Sequence, residues 1–118
     1  MKDPSEKRRF QRVGIQLPLK FRETMAQPPV YRGAQVRDVS LGGVRFCTEN
    51  FIPRDTSLIV EFQFPDNLRA IRAISKVSWL KSLPSGHRFE IGSEFVEMTA
   101  SERDLLEARL SFSPRFNQ

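Results

Sequence analysis

The chain has 118 residues, 39% hydrophobic and 28% charged, which suits one folded domain and excludes a disordered chain. No apolar run approaches the roughly 18–20 residues of a membrane helix, no apolar stretch near the start suggests a secretory signal, and the single cysteine, Cys47, has no partner for an internal disulfide. The net charge is +5, and more than half of it sits in residues 1–12, where Lys2, Lys7, Arg8, Arg9 and Arg12 face only Asp3 and Glu6. Such a basic segment suits a phosphate ligand, a nucleic acid or a membrane surface, and equally a solvated tail.

Beyond that segment apolar residues alternate with period 2, the signature of half-buried strands. Ile15, Leu17, Leu19 and Phe21 outline a first strand. Pro18 inside it predicts an edge strand or a bulge, because proline cannot donate to a ladder. A second strand is expected near Val30 to Val39, and a third from Val44 and Phe46, directly after Gly42-Gly43. Leu58, Val60, Phe62 and Phe64 mark a fourth, ended by Pro65-Asp66-Asn67. Ile71, Ala73, Ser75, Val77 and Trp79 share one face of a long fifth strand, and Phe89, Ile91, Ser93 and Phe95 one face of a sixth. After Met98 the period changes. Thr99 with Glu102, or Ser101 with Asp104, can form a capping box. Leu105, Leu106, Ala108, Arg109 and Leu110 then suit a helix of three turns or fewer, stopped by Pro114. Six short strands followed by a helix predict a mainly β fold: a six-stranded antiparallel barrel with a C-terminal α-helix against it or over one mouth.

Two segments carry candidate chemistry. In Arg8-Arg9-Phe10-Gln11-Arg12, forked guanidinium donors match phosphate oxygens, the O6 and N7 edge of guanine, and a purine face. In Asp38-Val39-Ser40-Leu41-Gly42-Gly43, between two strands, a carboxylate and a hydroxyl can meet guanine N–H groups or phosphate. The paired glycines permit positive φ and a close backbone approach. Asp-x-Ser and Gly-Gly are also ordinary turn chemistry, in which Asp or Ser bonds the local backbone.

The pair of segments resembles the PilZ domains, whose RxxxR and [D/N]xSxxG motifs read here as Arg8-x-x-x-Arg12 and Asp38-x-Ser40-x-x-Gly43. Leu17-Pro18-Leu19, Val77 with Trp79, and Arg88-Phe89-Glu90-Ile91-Gly92 with Phe95 extend the likeness over most of the chain. The resemblance implies a bacterial, cytoplasmic receptor that binds cyclic di-GMP at the barrel surface and acts on motility or biofilm through an effector protein the sequence does not identify. It implies that Arg8 and Arg12 clamp guanine and phosphate, that Asp38, Ser40 and Gly43 meet the other side, and that Arg9 and Gly42 belong to the same shell. Either one dinucleotide or a stacked pair fits, and Lys7 and Arg9 suit the extra phosphates of a pair. On this reading residues 1–14 form a flexible arginine-rich arm that orders on the ligand, and residues 15–118 form the barrel with its helix.

The remaining residues point to no catalysis and no cofactor. His87 is the only histidine and reads as a turn residue after Gly86, so neither a His-based metal site nor a His-dependent triad can be assembled. Cys47, Trp79 and most of the ten phenylalanines pattern as core, and Glu94 and Glu97 as a solvated face. The competing class is a small basic barrel that binds RNA or single-stranded DNA, supported by the pI near 10.0 and weakened by aromatics that pattern inward.

Overall fold

A computed structural model of the chain describes residues 11–65, 69–84 and 86–112. In chain order the elements are β1 (Val13–Gly14), β2 (Pro18–Glu23), β3 (Arg32–Val39), β4 (Gly43–Thr48), β5 (Ser57–Phe62), β6 (Ile71–Ser82), β7 (Phe89–Glu97) and α1 (Ala100–Phe112). The six longer strands close a barrel in the order β3-β2-β5-β6-β7-β4, with β4 returning to β3 and every pairing antiparallel. The two-residue β1 lies outside that closure and also pairs with β3, Val13 opposite Val39. The expected six-stranded antiparallel barrel with a C-terminal helix is the observed fold.

The inward faces supply the core. Leu19 and Phe21 of β2, Val36 and Val39 of β3, Val44 and Phe46 of β4, Leu58, Val60 and Phe62 of β5, Ile71, Ala73 and Val77 of β6, and Ile91 of β7 are buried in one cluster. Each large side chain so buried contributes about 1.5–3 kcal/mol. Leu106 brings α1 into the same cluster. Of the two candidate capping pairs, Thr99 with Glu102 caps the helix: the Glu102 N–H donates to Thr99 Oγ1 at 3.2 Å, and the Thr99 hydroxyl, rather than its N–H, donates to Glu102 Oε1 at 3.0 Å. Ser101 instead accepts from Arg69 at 2.9 Å. The helix runs 13 residues, slightly beyond the three turns expected; Pro114 lies outside the described residues.

Pro18 does not mark an edge. It opens β2, which lies between β3 and β5, and Ile15 to Leu17 separate it from β1, so the first predicted strand is divided. The Val36 N–H donates to the Leu17 carbonyl at 2.8 Å. Positions 17, 19 and 21 therefore face β3 with their hydrogen-bonding groups, and Pro18 turns its nitrogen the other way. Pairing with β5 starts only at Leu19, so the donor that proline lacks has no partner to lose.

Bulges break the alternation at two places that decide the surface. On β3, Val36 lies opposite Phe46 and Asp38 opposite Arg45, which leaves Arg37 as an extra residue. On β6, Val77 lies opposite Ser93 and Trp79 opposite Gly92, which leaves Ser78 extra. An extra residue reverses the face on which every following side chain stands. Asp38 thereby joins Arg45 on the outer face, while Val39 returns to the core. Trp79, expected in the core, is turned out and is 39% exposed, and Leu80 packs inward in its place. Cys47 is buried but outside the apolar cluster, on the Arg45 side of β4, where Arg37 donates to its Sγ at 3.5 Å. His87 is exposed in the turn after Gly86, and Glu94 and Glu97 are exposed, as expected.

Candidate functional site

The two bulges bring four residues from four neighbouring strands into one cross-barrel row. Asp38 of β3 pairs with Arg45 of β4, Arg45 with Gly92 of β7, and Gly92 with Trp79 of β6. Directly paired residues share a face, so a carboxylate stands at one end of the row and an indole at the other. Gly92 keeps the row open for the indole: a Cβ there would lie 2.3 Å from both Cε2 and Nε1 of Trp79.

The row carries an ion-pair chain. Arg12 donates to Asp38 Oδ1 at 2.8 Å, and Arg45 donates to Asp38 Oδ2. Arg45 also lies 3.5 Å from Glu90, and Glu90 lies 3.5 Å from Lys81 Nζ. The two carboxylates are almost fully covered, 7% and 6% exposed, while the cations stand more open. Buried carboxylates need such partners, because an uncompensated buried charge destabilises by several kcal/mol. The chain has three cations for two anions, so it presents excess positive charge to solvent. The buried Nε of Arg45 finds no acceptor among the described residues.

The turn beside the row is held by its own atoms and by β7. The Ser40 N–H donates to the Gly43 carbonyl at 2.9 Å, Ser40 Oγ accepts from the Gly42 N–H at 3.1 Å, and the Gly42 carbonyl accepts from the Phe95 N–H at 2.9 Å. Positive φ is not what the glycine pair provides: in the described chain only Asp55 and Gly86 have it. Gly43 serves close approach instead, since a Cβ there would meet the Ser93 carbonyl oxygen of β7 at 2.2 Å.

A comparison with protein-family models matches the PilZ domain over residues 6–112. The chain belongs to the PilZ domain family. The match takes in the arginine segment, the Asp38–Gly43 turn and the helix together. A search of curated proteins finds no match. Among solved structures, the chain is similar to the inhibitor of motility MotI/DgrA of Bacillus subtilis, with TM-score 0.74 and 17% identity over 93% of this chain and 51% of that one. It is also similar to the PilZ domain with c-di-GMP of YcgR from Escherichia coli, with TM-score 0.71 and 12% identity over 94% of each chain. A third likeness is to the MrkH–c-di-GMP complex of K. pneumonia, with TM-score 0.63 and 16% identity over 87% of this chain and 49% of that one. At these identities the likeness is one of fold, and the chain spans about half the length of MotI/DgrA and MrkH.

Of the residues expected at a PilZ ligand site, the structure gathers Arg12, Asp38, Ser40, Gly42 and Gly43 around one end of the row; Arg8 and Arg9 lie outside the described residues. Sequence reasoning missed Arg45, Glu90, Lys81, Gly92 and the outward turn of Trp79. Arg45 carried a signal, because it alternates with the apolar Val44 and Phe46 and so had to point outward. Glu90 did too, as the polar residue between Phe89 and Ile91. Trp79 carried none, since it continues the alternation of Ile71 to Val77 and only the bulge at Ser78 reverses it. Among the described residues no group of three His, Cys, Asp or Glu side chains is placed to hold a metal, and no helix is long and apolar enough to cross a membrane.

Proposed function

We propose that this PilZ domain is a cytoplasmic receptor for cyclic di-GMP, without catalysis of its own. The observation that carries the reading is the outer-face row, in which the two motif residues Arg12 and Asp38 are already joined at 2.8 Å on a surface that ends in an open indole. The c-di-GMP complexes of the similar YcgR and MrkH domains support it. In this reading Asp38 accepts from N1–H and the N2 amino group of one guanine. Arg8 and Arg12 grip phosphate and the guanine O6 and N7 edge, with Arg9 in support. Ser40 and the Gly42-Gly43 backbone meet the ligand at the turn. Arg45, held between Asp38 and Glu90, positions the Asp38 carboxylate, and the Trp79 indole offers a stacking face to a base.

The segment ahead of β1 acts as an arm that orders on the ligand, with the entropy loss that ordering entails, while Val13 and Gly14, assigned to the arm by the sequence, are paired with β3. The ordered arm changes a surface read by an effector protein, and motility or biofilm formation is the output. Calorimetry with cyclic di-GMP, GMP and a short single-stranded oligonucleotide at two salt concentrations tests the reading. Binding to the dinucleotide alone is the expected result. Oligonucleotide binding that falls steeply with salt, without a dinucleotide response, identifies a nucleic-acid barrel instead.

A further inference from the structure

The Asp38 carboxylate is occupied by two arginines. Arg12 takes Oδ1 and Arg45 takes Oδ2, and with both in place the side chain is only 7% exposed. A guanidinium and the N1–C2–N2 edge of guanine are the same fragment chemically: one carbon bearing two nitrogens that point parallel N–H groups at a carboxylate. A guanine that reaches Asp38 therefore competes with a group that looks like itself.

The two arginines are not equally displaceable. Arg45 sits on β4 in register with Asp38 and is drawn by Glu90 as well, which Lys81 in turn neutralises. Arg12 precedes β1, is 48% exposed, and Asp38 is its one ion-pair partner among the described residues. We infer that Arg12 is a placeholder for guanine: it fills the Asp38 socket in the free protein, leaves when the base arrives, and is thereby freed to meet phosphate, while Arg45 stays and holds the carboxylate in position. This rests on the cyclic di-GMP reading above. It makes binding an exchange, in which the affinity for the base is reduced by the fraction of molecules whose socket is filled.

The exchange predicts effects of opposite sign from one substitution. Guanosine carries no phosphate, so it senses only the socket. Arg12 is half exposed and Arg45 stays on the carboxylate, so the Arg12 pairing is favoured by a modest factor, and emptying the socket with Arg12→Ala tightens guanosine about two- to sixfold. The same substitution removes a phosphate grip and weakens cyclic di-GMP roughly tenfold. The experiment titrates wild type and Arg12→Ala with each ligand, following the Gly42, Gly43 and Arg45 backbone amides by nuclear magnetic resonance, with Asp38→Asn as the control that loses the guanosine response. If cyclic di-GMP binds the wild type but Arg12→Ala does not tighten guanosine, including the case of no guanosine response in either protein up to its solubility, the placeholder is overturned and the receptor reading stands. If cyclic di-GMP fails to bind the wild type, the receptor reading falls and the placeholder with it.

Discussion

The same substitution, Gly→Ala, at two neighbouring sites separates a glycine that lets two strands close together from one that leaves room for an indole. At Gly43 the new methyl would lie 2.2 Å from the Ser93 carbonyl oxygen and 3.2 Å from the Glu94 Cα, both backbone of the paired strand. An ordinary contact needs about 3.4 Å, so β4 and β7 must part by roughly 1 Å. That opens the Phe95 N–H bond to the Gly42 carbonyl, now 2.9 Å, and the Ser93 hydroxyl bond to the Val44 carbonyl, now 3.1 Å. Two hydrogen bonds at about 1 kcal/mol each, with about 1–3 kcal/mol of overpacking, give a loss of about 3–5 kcal/mol. For a domain of this size the melting temperature falls roughly 12–20 °C. At Gly92 the nearest atoms the methyl meets all belong to the indole of Trp79, which is partly exposed and can rotate away. Stability changes by under about 1 kcal/mol, but the stacking face leaves the row and cyclic di-GMP affinity falls roughly tenfold. Differential scanning fluorimetry and calorimetry on both variants read the two effects. Gly43→Ala melting within about 2 °C of wild type refutes the backbone argument. Gly92→Ala that keeps full affinity removes Trp79 from the site.

Four further outcomes are expected. Arg8→Ala weakens cyclic di-GMP ten- to a hundredfold by calorimetry, since it removes a charged hydrogen-bond donor; unchanged affinity contradicts the arm. Asp38→Asn weakens binding at least roughly tenfold but lowers stability by only about 1–2 kcal/mol in urea titrations, because Arg12 and Arg45 are exposed enough to take water in its place. Ser75→Ala leaves the protein as stable or stabilises it by up to about 1 kcal/mol, since the fully buried Ser75 hydroxyl has no hydrogen-bond partner among the described residues; a clear loss of melting temperature shows that the hydroxyl is bonded. Thr99→Ala removes the N-cap of α1 and lowers the melting temperature by roughly 4 °C, as a cap is worth about 1 kcal/mol.

Much of this protein was legible in its residues. Alternation over Leu58 to Phe62, Ile71 to Val77 and Phe89 to Ser93 located strands because side chains on a pleated strand take opposite faces in turn. The capping pair and the leucines after Met98 located the helix for the analogous reason at period 3.6. The two motifs were visible as residue types at a spacing, and the structure joins Arg12 to Asp38 across 26 residues.

The sequence by itself therefore determined the elements, the barrel they close and the chemistry brought to its surface. Only the tertiary structure decided which side chains share that surface. Pro18 is tolerated in a strand paired on both sides because pairing register, not residue identity, sets which way its nitrogen faces. Trp79 leaves the core, and Asp38 meets Arg45 outside it, because one extra residue on β6 and one on β3 reverse a period-2 pattern. A bulge is a mismatch between two strands, so neither strand alone records it. The glycine pair held the same lesson: its need is set by how near β7 lies to Gly43, a distance that exists only once the barrel has closed.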